Sequence, residues 1–134
     1  MLGTKLYKGQ YTNKEYADLA IWCNANNATI VEKGECYEVE EIVPTKAELQ
    51  QYLKQAIQSY MDLKVQERDY ADIVAACSYS SSTDHIFAAE GIACVKWRDA
   101  VWRKYFDVMA DVDEGTREFP TAEEMIAELP VLKW

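Results

Sequence analysis

From Asp84 to Asp113 the chain runs for 30 residues without a proline and with a single glycine, and its apolar side chains recur at helical spacing. On a helical wheel Ile86, Ala93, Trp97, Val101 and Val108 fall on one face. Phe87, Cys94, Trp102, Tyr105, Phe106 and Met109 spread over the adjoining faces, leaving Lys96, Asp99, Arg103 and Asp107 as a narrow polar strip. That apolar arc is wider than a surface helix needs. A helix of this kind is central in a bundle, touched from two sides, or half-buried in a partner. Gly91 agrees with close packing, because a glycine inside a helix costs about 1 kcal/mol against alanine and marks an approach by another backbone.

The densest part of this element is WRDAVWRKYF, residues 97–106. Aromatic residues interleaved with arginine and lysine suit nucleic acid only within an electropositive groove. With 23 acidic and 14 basic residues the net charge is −9, and no concentrated basic patch offsets it. Such a chain repels nucleic acid. The stretch therefore reads as core plus partner face, with Trp97, Arg98, Trp102, Tyr105 and Phe106 as the partner-binding candidates. Glu90 and Arg98 are charges inside the apolar arc, two turns apart. A buried charge needs a partner. Arg68 is the candidate for Glu90, and Arg98 is expected to meet a carboxylate or a group of carbonyls; the alternative is that both side chains snorkel to the rim.

The rest of the chain divides near residue 43. TNKE (Thr12–Glu15), TKAE (Thr45–Glu48) and TAEE (Thr121–Glu124) each have the form of a capping box, which marks a helix start. The first opens a helix from about Asn13 to Asn24, with Tyr11 and Tyr16 placed to form a hydrophobic staple. ATIVEKGECYEVEEIV alternates around Lys33-Gly34 and reads as a β-hairpin; KLYKG adds a third strand or none. Residues 1–43 are thus a small βαββ or αββ unit. Residues 44–134 are helical. A long helix from Thr45 carries Leu49, Tyr52, Leu53, Ala56, Ile57, Tyr60, Met61 and Leu63, and its stripe permits a homo-oligomeric contact. A shorter helix follows, capped by Asp69, and the last one closes at Pro130. The expected fold is α+β and mainly helical: the small unit followed by an antiparallel helical bundle with two long helices.

Catalytic and metal signatures are sparse. No GxxxxGK[ST], GxGxxG, GxSxG or HExxH occurs. His85 is the only histidine, and the four cysteines form no CxxC pair, so no metal site or cofactor is expected. SYSSSTDH gathers serine, aspartate and histidine, but neighbours in sequence seldom face one another as a triad does, and capping is the simpler role. No secretory signal or membrane-spanning run is expected either, and the thiols are expected to be reduced and mostly in the core.

The stretch from about residue 45 to 130 resembles a group of small bacteriophage and prophage proteins encoded near tail-fibre genes. Their pattern is a long helix, R-x-Y, an S-Y turn, F-x-x-E-G, W-R-x-x-V-W and P-T-x-E-E-x-x-x-x-L-P. Here it falls on Arg68, Tyr70, Ser78, Tyr79, Phe87, Glu90, Gly91, Trp97, Arg98, Val101, Trp102, Pro120, Thr121, Leu129 and Pro130. The resemblance implies a non-enzymatic tail accessory protein, either a virion component or a factor in fibre assembly, with a tail-fibre or baseplate protein as partner. It also implies work in the host bacterial cytoplasm during assembly, with the virion tail as the other destination. The alternative expectation is a phage-encoded acidic inhibitor of a host defence or nucleic-acid enzyme, using the glutamates of the hairpin as a charge mimic.

Overall fold

A computed structural model describes residues 1–134 as two compact units, Met1–Thr45 and Lys46–Trp134. The fold is α+β and mainly helical, with a small antiparallel sheet ahead of the helices.

The first unit is βαββ: β1 (Lys5–Tyr7), α1 (Asn13–Ala25), β2 (Ala28–Lys33) and β3 (Cys36–Glu41). KLY does form a strand, and it pairs with β3, so the order is β1-β3-β2 and β3 is central. The hairpin register places Lys33 opposite Cys36 across a two-residue loop. Gly34 takes φ +61°, as the first central residue of a type II′ turn requires. The Thr12 hydroxyl accepts from Glu15 N–H and starts α1. Tyr11 stacks on Tyr16, and Tyr37 meets both rings edge-on, so the staple extends to the sheet. Leu19, Cys23, Ala28 and Val39 fill the core.

The second unit contains α2 (Lys46–Gln66), α3 (Ile73–Ser78), a 3₁₀ turn (Tyr79–Ser81), α4 (His85–Asp113) and α5 (Ala122–Glu128). The two long helices, α2 and α4, run antiparallel. Lys46 at the start of α2 pairs with Asp113 at the end of α4, Tyr60 meets Trp97, and Arg68 beyond α2 meets Glu90 near the start of α4. Leu53, Ile57, Met61 and Val65 form the buried line of α2. Because they repeat every fourth residue, Tyr52 and Leu63 fall off its sides and are exposed. On α4 the buried line is Gly91, Cys94, Trp97, Val101, Tyr105 and Val108, joined by Met109. Ile86, Phe87 and Phe106, expected in the apolar arc, stand in solvent at its edges.

Asp69 caps no helix start. Asp72 does, accepting from Ala75 N–H at 2.7 Å. Asp69 instead ends α2 in the left-handed region, at φ +66°. Its N–H bonds Gln66 C=O and the Tyr70 N–H bonds Val65 C=O, the paired closure of a Schellman motif. Gly115 ends α4 in the same way at φ +77°.

Candidate functional site

Arg68, Tyr70, Tyr79, Phe87, Glu90 and Gly91 come from three separate stretches of sequence, and the fold brings them to one end of the helical unit. Arg68 reaches Glu90 at 3.0 Å, and the Glu90 side chain keeps only 15% of its exposure. The guanidinium also lies 4.8 Å from the centre of the Trp134 ring, close enough for a cation–π contact. Trp134 in turn stacks on Tyr70, Tyr70 touches Tyr79, and Tyr79 meets Phe87 edge-on. Arg68, Asp69, Tyr70, Tyr79, Phe87 and Glu90 line a small cleft of about 210 Å³. Its charges largely satisfy each other.

Gly91 has a specific reason to be glycine. A Cβ there would lie 2.3 Å from the Ser80 amide nitrogen and 2.5 Å from the Tyr79 carbonyl carbon. No side chain fits against backbone at that distance. The 3₁₀ turn is therefore seated directly on α4, which places Tyr79 beside Phe87.

These contacts hold the segment Pro130–Trp134 along α4 as an extended strap. Trp97 donates its indole N–H to the Pro130 carbonyl at 2.7 Å. Leu132 is buried in the main core, and Trp134 is held by Tyr70 and Arg68. Val131 and Lys133, the alternate residues, face outward. Between strap and helix lies a groove of about 460 Å³, lined by Ala89, Ile92, Ala93, Lys96, Trp97 and Ala100 of α4 and by Pro130, Val131, Lys133 and Trp134. A second cleft of about 510 Å³ runs between Leu49, Tyr52 and Leu53 of α2 and residues 119–123.

The sequence-derived partner residues separate sharply. Trp97 and Tyr105 are 4% and 1% exposed and belong to the core. As docking residues they are corrected: one spaces the strap from the helix, and the other sits on the buried line of α4. Trp102 is half-buried against the same core and meets Tyr105 edge-on. Phe106, at 56%, is the member of the set that stands free. Arg98 keeps 41% of its side-chain exposure and binds the Asp99 carboxylate at 2.8 Å, so it meets a carboxylate at the rim and is not a buried charge. The hydrogen bond to Asp99 also raises its pKa. Arg68, 49% exposed, is likewise a rim residue; Glu90 is the sheltered partner.

The cysteines are free thiols: Cys23, Cys77 and Cys94 are buried and Cys36 is half-buried. Burial pushes the Cys94 thiol up to about 11 and raises Cys77 as well, the reverse of what a nucleophile requires. In SYSSSTDH, the Ser82 hydroxyl accepts from Asp84 N–H, and the Asp84 carboxylate caps Ile86 and Phe87. The serine and aspartate are thus used in starting α4, and His85 is exposed in its first turn. In the hairpin, Lys33 binds both Glu38 and Glu40, and Lys8 binds Glu32, which offsets part of the acidic face. No three His, Cys, Asp or Glu side chains converge as metal ligands, and no helix is long and apolar enough to cross a membrane.

Sequence spacing pointed to Glu90, Arg68 and Gly91. The aromatic end of VLKW also reads as a tail that docks, as Trp134 does. The groove residues Val131, Lys96 and Lys133 were missed, because nothing in a linear pattern says where a five-residue tail will lie. No protein-family model, curated protein or solved structure matches this chain.

Proposed function

We propose that the protein is a non-enzymatic bacteriophage tail accessory protein that acts through protein–protein contacts, with a tail-fibre or baseplate protein as its partner. The observation that carries this reading is the convergence of the phage-like pattern on one construction. Arg68, Tyr70, Trp97 and Pro130 hold the strap, and Tyr79, Phe87, Glu90 and Gly91 adjoin them at the same end of the unit. The pattern thus describes a scaffold for a surface, in keeping with a docking role. The capping use of Ser82 and Asp84 and the raised Cys94 thiol point away from nucleophilic catalysis. The pairing of hairpin glutamates with Lys33 and Lys8 weakens the charge-mimic alternative.

The test is affinity capture by the full chain from phage-infected cells, with size-exclusion and light scattering to give the mass of the complex. A stable complex with a fibre or baseplate protein is the expected result. A host nuclease or defence protein in its place would overturn the reading.

A further inference from the structure

We infer that the groove between α4 and the strap docks an acidic amphipathic helix of a partner protein. The apolar stripe of that helix fills the groove over Ile92, Ala93 and Val131, and its carboxylates meet Lys96 and Lys133. The inference rests on the reading of the protein as one that acts through protein contacts, and it names the chemistry of the partner.

The floor of the groove is apolar and open. Ile92 and Val131 are 45% and 70% exposed although both line it. Its rim is positive. Lys96 and Lys133 are both exposed and neither forms an ion pair; Lys54, Arg103 and Lys104 of the same unit are unpaired too, but this groove is lined by two lysines and no carboxylate side chain. Asp99, the acid one turn along α4 from Lys96, is taken by Arg98 at 2.8 Å. In a chain of net charge −9, this places two free ammonium groups beside an uncovered apolar surface. Charge then works as an address. Most of the surface repels an acidic segment, and this groove accepts it; a basic segment meets the opposite preference.

The shape favours a helix. From Ala89 to Ala100 the groove follows α4 for about 16 Å, three turns. Ala89, Ala93 and Ala100 are small enough for a second helix to approach at the usual 8–10 Å between axes. Lys96 extends from the middle of that stretch, and Lys133 stands on the strap opposite.

The test uses the ¹⁵N-labelled 134-residue chain and two designed amphipathic peptides of about 20 residues, long enough to be partly helical. Both carry the same leucine stripe; one is flanked by glutamate, the other by lysine. The acidic peptide should shift the amides of Ile92, Lys96 and Val131 and the Trp97 indole N–H, and the basic peptide should not. The double charge reversal K96E/K133E lies on the surface, and circular dichroism will verify its fold. It should weaken the acidic peptide about tenfold or more. Equal responses to both peptides, shifts confined to another surface, or no shifts at millimolar peptide would overturn the inference. Broadening of the groove amides with protein concentration alone would overturn it too, in favour of a second copy as the occupant. If K96E/K133E captures a fibre or baseplate protein as well as the wild type does, the groove is wrong and the tail reading stands. If the acidic peptide docks but no phage partner is captured, the groove stands and the tail reading falls.

Discussion

The two units bury their apolar residues on very different scales. The first has four buried core residues, Leu19, Cys23, Ala28 and Val39. The second has sixteen in one continuous cluster. A unit of about 45 residues sits near the size at which a hydrophobic core alone stops sufficing. It relies correspondingly more on the three-stranded ladder and on the tyrosine group of Tyr11, Tyr16 and Tyr37. Both units leave large apolar side chains exposed, Ile21 and Val43 in the first and Ile92, Phe106 and Val131 in the second, but only the second has a large core beneath them. The two units should respond to substitution separately.

Gly91→Ala should have the largest effect. The new Cβ meets backbone and cannot be absorbed by rotating a side chain. A loss of about 3 kcal/mol, the upper end for overpacking, is expected in the helical unit, read as a lower melting temperature for its helical signal. An effect below about 1 kcal/mol would mean that the 3₁₀ turn is not seated on α4 as described.

Val39→Ala empties part of a core of four residues, and about 2 kcal/mol is expected for that loss. In so small a unit this should separate a low-temperature transition of the sheet from an unchanged helical one. A single transition, shifted as a whole, would show that the units melt together and would break the contrast drawn above.

Trp97→Phe keeps most of the ring volume but leaves the Pro130 carbonyl without its 2.7 Å donor. About 1–2 kcal/mol should be lost, and hydrogen exchange should quicken at Leu132 and Trp134 before it does in the helices. Glu90→Gln removes a pair whose arginine is 49% exposed, so solvent screening keeps the loss below about 1 kcal/mol.

Alkaline pH sharpens the same contrast. The Cys94 thiol is raised from 9.0 to about 11 by burial. Well below pH 9 the thiol is neutral in both folded and unfolded chains and adds no pH dependence of its own. Between pH 9 and about 11 only the unfolded chain ionises, so stability falls as pH rises. Cys94→Ala should lose part of that alkaline fall, the rest staying with Cys77, Tyr70 and Tyr105, which burial also raises; an unchanged profile would place the cause elsewhere.

Much of this architecture was legible from local chemistry. Capping threonines at 12 and 121, the Lys33-Gly34 turn and the glycine at 115 each mark a boundary that the chain obeys. Glu90 and Gly91 stood out because each violates the pattern of its helix, and both proved to have a partner that explains the violation. Asp69 was misread because aspartate both caps helix starts and tolerates the left-handed region; only the bonds from its own N–H and that of Tyr70 decide between these. Trp97 and Tyr105 were misassigned to a partner for a different reason. A wheel gives the direction of a side chain but not what lies opposite, and the strap that covers Trp97 is remote in sequence.

Cross-linking mass spectrometry on the complex captured from phage-infected cells tests the central claim most directly, using a lysine-to-carboxylate reagent. The account predicts links from Lys96 and Lys133 to acidic residues of a fibre or baseplate protein, lost in K96E/K133E. Links to that partner only from Lys5, Lys8 or Lys33 of the first unit would contradict it.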